Sequence, residues 1–446
     1  MQIALVARHA TPPTHAADPY SADQAAHIAG LSRALALEGN DVTVYARKDS
    51  PDLPAKARLA PRLTAEYVDA GPATPIPADQ APHYAKDIAS HLASAWREKL
   101  PDVVHAFHWT GGLAALGAAR DYPVPILATF GSLVTAERRH RIAGECSATR
   151  TRMEPCIAKA LSGVLAISSD EVAELSRLGI PNARVRIIPV GVDTKRFKPE
   201  GLVAKRKRLV RLVTVGPLAE YRSLDVMLKC LTDLPDTELV IAGGPSAAKL
   251  ESDHGYRILA KLAADLGVTD RVQFTGHVSD SNLPTLLRSA DLFVSCARYE
   301  PQAITVLQAM ACGVPVVAPA IGIYRDAVID GTTGSLVPPG RPDLLGRRLR
   351  DLVGSPMRRA AYGIAAADRA KSRYPWERVA QETVTAYEHA VARAARREPA
   401  LPAGPAAADR FIQPGAAHAR PARSKSTASR PARKRARLLA AGDHAA

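Results

Sequence analysis

Short apolar runs alternate with segments of helical periodicity along most of this chain, and this alternation restricts the fold more than any other feature. Runs of this length and composition are typical of buried parallel strands. They occupy residues 3–7, 42–46, 103–107, 126–130 and 164–167 and, after a break, 212–215, 239–242, 272–274, 292–295 and 314–317. Residues 25–37 show helical spacing, and Gly39 follows where a glycine commonly ends a helix. The first two runs and this helix therefore predict a βαβ unit.

The pattern stops over residues 189–208 and then restarts, which predicts two α/β domains in tandem. We place the first domain at residues 1–190 and the second at residues 208–375. Residues 376–397 have the spacing of one more helix. From residue 398 to residue 446, proline, alanine, glycine, serine and arginine prevail with few large apolar residues, a composition that predicts disorder.

The positive charge of the chain is concentrated near its end. The 446 residues carry a net charge of +15, and residues 410–446, with nine basic residues and one acidic residue, account for +8 of it. A basic segment of this kind can make weak electrostatic contact with anionic lipid or nucleic acid. It can equally be a solubilising extension, and the sequence leaves both interpretations open.

The sequence also argues against several classes of protein. Its five cysteines are an odd number without a CxxC pair, which argues against a disulfide framework and a structural zinc site and favours the reducing cytoplasm. The apolar run at residues 314–323 has ten residues and holds two prolines and a glycine, so no transmembrane helix is expected and any position at a membrane would be peripheral. Residues 1–8 are typical of a first strand and not of a signal peptide. The absence of GxGxxG, GxxxxGK(S/T), HExxH and Asp-x-Asp motifs argues against dinucleotide oxidoreductases, P-loop ATPases and metal-clamped sugar transferases.

Residues 295–317 carry the strongest indication of chemistry. They are typical of a strand, a turn, a short helix that Gly313 ends and another strand, with Pro301 in the first helical turn. A helix that begins at the carboxyl end of a parallel strand presents free backbone N–H groups, which suit a phosphate. Glu300 and Gln308 are eight positions apart, about two helical turns, so both can reach one ligand. Spacing alone also fits a solvated carboxylate and an ordinary polar helix residue.

This segment, SCARYEPQAITVLQAMACGVPVV, resembles the family-4 retaining glycosyltransferases, whose pattern runs Glu-Pro-Phe-Gly, a second Glu, and then Ala-Met-Ala-x-Gly-x-Pro-Val-Val. Other stretches match in order over about residues 1–395, among them ALVARHATP, PDVVHAFHW, IIPVGVDTKRF, LVIAGGP and DGTTGSLVPPG. The resemblance is to the bacterial branch with sucrose-phosphate-synthase-like and mycothiol-pathway enzymes. It implies the α/β GT-B fold, in which two Rossmann-like domains face a central cleft and the last helix crosses back to the first domain.

The resemblance also implies a reaction and a set of site residues. A nucleotide-sugar donor would bind the second domain, and its sugar would pass to an unidentified acceptor with retention of configuration and without a metal ion. Glu300 would be the catalytic residue that bonds the transferred sugar. The donor-binding residues would be Gly216, Arg222, Pro301, Gln302, Ala303, Ile304 and Gln308. On the acceptor side the candidates are His9, Gln24, His105 and Arg138, together with His108 and His140. The oligomeric state stays open, a homo-oligomer included.

Several positions depart from the family pattern. Ala22-Asp23 replace a Gly-Gly pair, Gly131 replaces a histidine, Glu137 and Arg222 each replace a lysine, Pro217 replaces an arginine, and Gln308 replaces a glutamate. Losing one charge-assisted phosphate contact costs about 1.5–3 kcal/mol, so Pro217 and Gln308 together predict donor binding weaker by roughly 10²- to 10³-fold. Arg298 and Arg325 are candidates to compensate. The alternative to an active enzyme is a catalytically impaired pseudo-glycosyltransferase of the same fold that binds a ligand or a partner.

Overall fold

The computed structural model describes residues 1–7, 19–77, 79–142, 147–207 and 210–396, with side chains from residue 23 onward in the second of these ranges. His9, Cys146 and the basic segment 398–446, for which disorder is predicted, lie outside the described residues. Within the described ranges, no helix combines the length and the apolar character needed to cross a bilayer.

The first domain is built on an eight-stranded sheet. Its strands are β1 (Gln2–Ala7), β2 (Asp41–Arg47), β3 (Lys56–Ala60), β4 (Leu63–Val68), β5 (Val103–Phe107), β6 (Ile126–Thr129), β7 (Gly163–Ala166) and β8 (Val185–Ile187). They lie in the order β3-β4-β2-β1-β5-β6-β7-β8, and the pairs are parallel except β3 with β4. All five strands predicted here are present. Strands β3, β4 and β8 were not predicted; β3 and β8 are short, carry charged residues and contain no buried residue, so neither shows an apolar run.

Helices cover both faces of this sheet. They are α1 (Pro19–Leu37), α2 (Ala85–Glu98), α3 (His108–Ala118), α4 (Val134–Arg139), α5 (Ala148–Ala160) and α6 (Ser169–Arg177). Alternate residues of β1 point to opposite faces, as the two-residue period of a strand requires. Ala4 and Val6 pack in the core formed with α2 and α3, whereas Ile3 and Leu5 pack in the core formed with α1. Gly39 ends α1 with a φ of +86°, as predicted.

The second domain is built on a six-stranded parallel sheet. Its strands are β9 (Val210–Val215), β10 (Thr237–Ala242), β11 (Val272–Gly276), β12 (Leu292–Val294), β13 (Val316–Pro319) and β14 (Gly334–Val337), in the order β11-β10-β9-β12-β13-β14. Its helices are α7 (Leu224–Thr232), α8 (His254–Asp265), α9 (Leu283–Arg288), α10 (Ile304–Ala311), α11 (Gly322–Ala327), α12 (Pro342–Val353) and α13 (Pro356–Arg373). In each sheet the strand order reverses beside the first strand, which places a ligand crevice at the carboxyl ends of the central strands.

The last described helix, α14 (Trp376–Arg396), returns to the first domain. Val379 and Tyr387 are fully buried in the same core as Ile3 and Leu5. The hydroxyl of Tyr387 lies 2.7 Å from Nδ1 of His105, a contact between residues 282 positions apart. The crossing helix that the sequence analysis expected is therefore part of the first domain's core.

Two glycines allow the chain to cross over at Trp376. A Cβ atom at Gly30 would lie 2.2 Å from the indole ring, and one at Gly191 would lie 2.4 Å from it. The N–H of Val192 also donates to the carbonyl of Tyr374 at 2.8 Å. The connection between the domains and the start of α14 are therefore packed together, with no room for a larger residue at either glycine.

Candidate active site

Loops at the carboxyl ends of both sheets meet across a cleft. The hydroxyl of Tyr299 in the second domain lies 3.1 Å from Oγ of Ser132 in the first, and its ring stacks on His140 with 5.3 Å between ring centres. A cavity of about 320 Å³ lies at this junction, and Gly131 and Glu300 are among the residues that line it. His140 and Glu300 were predicted from the sequence, whereas Tyr299 and Ser132 were not, because their contact exists only where the two domains meet.

A buried ion pair between Arg222 and Glu300 forms the centre of the candidate donor site. Arg222 ends a 3₁₀ turn after β9, Glu300 lies in the loop after β12, and the two residues are 3% and 5% exposed. Nη1 of Arg222 contacts Oε2 of Glu300, and Nη2 donates to the carbonyl of Val215 at 2.6 Å. Gly216 has a φ of +146°, and a Cβ there would lie 2.8 Å from Cζ of Arg222. The structure thus brings together three residues that the sequence singled out.

The helix that follows Glu300 begins later than the sequence analysis placed it. α10 starts at Ile304, so Pro301 lies in the preceding loop and not in the first helical turn. Ala303 has a φ of +22° at the position where the family pattern has glycine, a backbone conformation that costs free energy for any other residue. Among the described residues, none accepts a hydrogen bond from the backbone N–H groups of Gln302, Ala303 or Ile304. The turn therefore leaves donors open at the positive end of an eight-residue helix.

Two amide side chains in this region have a buried oxygen without a hydrogen-bond partner among the described residues. They are Oε1 of Gln302 and Oε1 of Gln308. An unpaired buried acceptor costs roughly 1–3 kcal/mol. A ligand hydroxyl that donates to either oxygen would remove this cost, so the two atoms mark positions where a polar ligand fits.

Gly131 and Gln302 fit together across the cleft. Gly131 has a φ of +72°, and a Cβ there would lie 2.2 Å from Nε2 of Gln302 and 3.8 Å from Nε2 of Gln24. The amide of Gln302 thus occupies the space beside residue 131 where the family resemblance places an imidazole. Gln24, an acceptor-side candidate on α1, is buried at the same place. The missing imidazole and the amide at residue 302 are therefore two parts of one local rearrangement.

Asp23 on α1 adds a second carboxyl group to the surroundings of Arg222. Burial raises the pKa of Asp23 to about 6, and the positive charge of Arg222 opposes this rise. From the sequence, this carboxyl group was expected to lie near the diphosphate and to repel it. Because Asp23 is largely ionised at neutral pH, Arg222 experiences the charge of Asp23 as well as that of Glu300.

Two histidines of the first domain have ring nitrogens within hydrogen-bond distance of neighbouring side chains. His105 is 1% exposed, and its ring nitrogens contact the hydroxyl of Tyr387 at 2.7 Å and Oγ1 of Thr129 at 3.0 Å. Burial is the main reason that the pKa of His105 falls to about 3. Nδ1 of His108 lies 3.1 Å from Oγ1 of Thr110. The structure thus gives His105 a structural role in fixing α14, in place of the acceptor-side role expected for it.

The cleft-lining arginine of α4 is Arg139 and not the expected Arg138. Arg138 is exposed and lies outside the cavity lining, whereas Arg139 lines the cavity and pairs with Glu174. Successive residues on a helix point about 100° apart, so the choice between neighbours decides which one faces the cleft. The expectation for Arg138 is corrected accordingly.

Glu137 does not face the cleft as the sequence analysis expected. It is 4% exposed and accepts hydrogen bonds from Nη1 of Arg150 at 2.9 and 3.1 Å. Arg150, 2% exposed, also donates to Glu154 at 2.9 Å and to the carbonyl of Ser132 at 3.0 Å. The replacement of lysine at residue 137 therefore completes a buried ion network under the cleft loop.

Two aspartates join the domains at the cleft, and neither was predicted. Asp170 accepts from the N–H of Gly322 at 2.7 Å and from Nη1 of Arg325 at 2.6 Å. Asp326 accepts from the N–H of Ser169 at 2.7 Å and from its hydroxyl at 2.6 Å. Each aspartate thus accepts a hydrogen bond from the first residue of a helix in the other domain. The positive end of the helix dipole stabilises a carboxylate at this position. Arg325 was a candidate to compensate for lost donor contacts; in the structure its guanidinium is paired with Asp170 at this contact between the domains.

Glu171 is a buried carboxyl group in the cavity lining that the sequence analysis also missed. Its Oε2 accepts from the N–H of Ile167 at 2.7 Å, and its N–H donates to Oγ of Ser168 at 3.3 Å. The Ser-x-x-Glu spacing over residues 168–171 is the signature of a helix start and could have located it. Burial is the main reason that the pKa of Glu171 rises to about 7, and the charge of Glu154 adds to the effect.

We expect Glu171→Gln to gain stability relative to the wild type as the pH rises from 5 to 8. In the folded state, Glu171 keeps its proton up to a pKa of about 7, whereas an unperturbed carboxyl group releases it near 4.5. The stabilising contribution of Glu171 to the wild type is therefore complete below pH 4.5 and lost above pH 7, while the glutamine variant has no such dependence. The relative gain should be on the order of 3 kcal/mol. Urea unfolding across this pH range measures it, with the exposed Glu251→Gln as control. Parallel pH curves for wild type and Glu171→Gln would contradict the shift.

Two family models match this chain in succession. Residues 24–196 match Glycosyltransferase Family 4, and residues 195–369 match Glycosyl transferases group 1. A D-inositol 3-phosphate glycosyltransferase of Frankia alni is 31% identical over 83% of this chain and 95% of its own length. One from Acidothermus cellulolyticus is 29% identical over 88% of this chain and 91% of its own.

Solved structures share the fold. Sucrose-phosphate synthase from Thermosynechococcus elongatus has a TM-score of 0.77 at 24% identity, over 88% of this chain and 100% of its own. Anabaena HepE, in complex with UDP and glucose, has a TM-score of 0.65 at 16% identity, over 87% of this chain and 99% of its own. The predicted GT-B fold and glycosyltransferase function are confirmed. By sequence, this chain belongs to the family-4 glycosyltransferases.

Proposed function

We propose that this glycosyltransferase moves a sugar from a nucleotide diphosphate to an acceptor hydroxyl, with retention of configuration and without a metal ion. The observation that carries the proposal is the buried Arg222–Glu300 pair beside the open N–H groups before α10. The open N–H groups attract the negative charge of a diphosphate, and the guanidinium of Arg222 has the donor geometry for phosphate oxygens. Solved structures of the same fold are described with UDP or UDP-glucose, which supports a nucleotide-sugar donor. The four described cysteines are free, which fits the cytoplasm as the location.

The proposed reaction exchanges one bond at the anomeric carbon of the sugar. The acceptor oxygen bonds to this carbon, the bond to the β-phosphate oxygen breaks, and its electron pair leaves with the diphosphate. The acceptor proton passes to the leaving phosphate oxygen on the same face, so the configuration is retained. Negative charge develops on the diphosphate, where Arg222 and the N–H groups of residues 302–304 stabilise it. Glu300 would accept from a sugar hydroxyl and Oε1 of Gln308 from the ribose.

Two acceptor classes are open, and the described part of the cavity favours one. The names of the relatives point to a phosphorylated polyol. In this chain the arginines that line the cavity are paired with carboxylates: Arg139 and Arg177 with Glu174, Arg298 with Glu220, and Arg325 with Asp170. Because a paired guanidinium attracts a second anion weakly, we favour an uncharged polyol or sugar. Transfer assays with inositol and inositol phosphate side by side distinguish the two classes.

Donor binding tests the proposal. Thermal unfolding in the presence of UDP-, GDP- and ADP-sugars should show a higher melting temperature with at least one of them, because a ligand that binds the folded state stabilises it. Release of the sugar should be slow in the wild type and slower in Glu300→Ala. Pro217→Arg combined with Gln308→Glu should tighten donor binding by roughly 10²-fold, since two charge-assisted contacts return.

The exposed Arg257→Gln on α8 is the matched control and should change neither quantity. If no donor shifts the melting temperature of the wild type or of the Pro217→Arg/Gln308→Glu variant, the proposal is wrong. The pseudo-glycosyltransferase alternative then stands in its place.

A further inference from the structure

A side-chain amide of the second domain lies against the backbone of the first domain inside the cleft. Gln302 belongs to the loop between Glu300 and α10 and is 3% exposed. A Cβ atom at Gly131 would lie 2.2 Å from Nε2 of Gln302 and 3.8 Å from Nε2 of Gln24. Gln24 lies on α1 and Gly131 lies after β6, so both belong to the first domain. We call these three residues, Gln24, Gly131 and Gln302, the amide niche.

The oxygen of the Gln302 amide is available to a ligand. Oε1 of Gln302 is buried, and it has no hydrogen-bond partner among the described residues. Buried polar atoms are normally paired, and an unpaired one costs free energy of folding. A hydroxyl group from outside the chain can donate the missing hydrogen bond. A buried amide in this state, beside a cleft, therefore indicates that a ligand with hydroxyl groups binds against it.

The surroundings of Gln302 indicate which part of a donor its side chain meets. The backbone N–H of Gln302 belongs to the turn proposed above for the diphosphate, and Gln308, farther along the chain, is proposed to meet the ribose. The side chain of Gln302 instead lies against Gly131 of the opposite domain. Gly131 and Glu300, the residue proposed to bond the sugar, both line the cleft cavity. The amide is therefore on the sugar side of the diphosphate.

We infer that the side-chain amide of Gln302 binds a hydroxyl group of the transferred sugar and that Gln302 is a specificity-determining residue for the donor. Oε1 accepts the hydrogen bond from this hydroxyl group. Gly131 makes the arrangement possible, because a larger residue there would displace the amide. The inference rests on the proposed sugar transfer and adds to it how this chain selects the sugar: a donor sugar without this hydroxyl group binds more weakly.

Binding of a nucleotide diphosphate and of its glucose ester distinguishes the sugar from the rest of the donor. The full-length protein is titrated by calorimetry with UDP, GDP and ADP and with their glucose esters. Gln302→Met, which keeps the length of the side chain, should weaken binding of the glucose ester about three- to tenfold and leave binding of the diphosphate unchanged, since one neutral hydrogen bond is lost. Gln308→Met should weaken binding of both ligands. Gln273→Met, the same change at an exposed position of β11, should weaken neither.

Deoxy analogues of the glucose ester test the hydrogen bond itself. Among the 2-, 3-, 4- and 6-deoxyglucose esters, one should bind the wild type about three- to tenfold more weakly than the glucose ester does. Gln302→Met should bind that analogue and the glucose ester equally well, because the variant already lacks the hydrogen bond that the analogue cannot form. Unfolding curves verify that Gln302→Met folds, and Gln302→Ala repeats the titrations with a smaller side chain.

Two results would overturn the inference. One is that the variants at residue 302 bind the diphosphate, the glucose ester and the deoxy analogues in the same ratios as the wild type. The other is that the wild type binds none of the three glucose esters. The proposed transfer reaction is decided separately, by the thermal screen over donors with other sugars, so either result leaves it intact.

Discussion

Arg222→Ala should weaken binding of a nucleotide diphosphate at least tenfold and, at the same time, destabilise the fold by about 3–5 kcal/mol. The binding loss follows from removal of one bidentate phosphate contact. The stability loss follows because the carboxylate of Glu300, 5% exposed, would remain buried without its cation. Urea unfolding and donor titration by calorimetry measure the two effects separately. Unchanged stability together with unchanged affinity would show that the ion pair has neither role.

A neutral replacement of both partners separates structure from chemistry. In Arg222→Met combined with Glu300→Leu, the buried carboxylate of Glu300 is removed together with its cation, so most of the lost stability should return. Transfer activity should not return, because neither the diphosphate nor the sugar finds its polar partner. Arg222→Lys keeps the positive charge but loses the paired N–H donors of the guanidinium. Its donor affinity should therefore lie between that of the wild type and that of Arg222→Ala. Recovery of activity in the neutral double variant would remove both residues from the mechanism.

Arg150→Met should destabilise the protein by about 3–5 kcal/mol or more, the largest stability effect expected of any single change here. Arg150 is 2% exposed and bonds to both Glu137 and Glu154, so its removal leaves two buried carboxyl groups without a cation. Burial is the main reason that the pKa of Glu154 is raised to about 7, and Arg150 opposes that rise. The loss should therefore grow with pH as these groups are forced to ionise. Chemical unfolding at pH 6 and pH 8 tests this, and an equal loss at both values would contradict it.

Glu137→Lys, which restores the family residue, should also destabilise the fold. It would place an ammonium beside the buried Arg150 and remove one of its two carboxylate partners. Glu137→Gln is the matched neutral change and should cost less. If Glu137→Lys were as stable as the wild type, the network would not explain why this chain departs from the family.

The sequence predicted those elements whose signal is local. All ten predicted apolar runs form strands in the structure. The restart of the pattern after residue 208 indicated two successive α/β domains. Strand β14 (Gly334–Val337) was missed because a four-residue segment beginning with two small residues shows no apolar run. The start of α10 was placed too early because Pro301 suits a first helical turn, while the positive φ of Ala303 delays the helix.

For three of the predicted site residues, the family resemblance supplied the long-range contact. Arg222, Gly216 and Glu300 meet although their spacing alone would not require it. His105 was misjudged because its partner Tyr387 lies 282 positions further along the chain. Glu137 was misjudged for a similar reason, since only the folded chain brings Arg150 against it. The local pattern of residues along the sequence does not indicate which distant residues will pair in the folded chain.

The return of α14 to the first domain has a consequence for synthesis on the ribosome. The first domain's core needs Val379 and Tyr387, which leave the ribosome after the whole second domain has been made. Until then, the apolar face that includes Ile3 and Leu5 is covered by α1 but lacks the part of its cover that α14 supplies, although domains generally fold in the order of their synthesis. The second domain, whose core extends to Tyr374, can complete its core shortly before that. We therefore expect the nascent chain to finish its carboxyl-terminal domain first and to hold the amino-terminal one in an exposed, chaperone-dependent state until the last helix emerges.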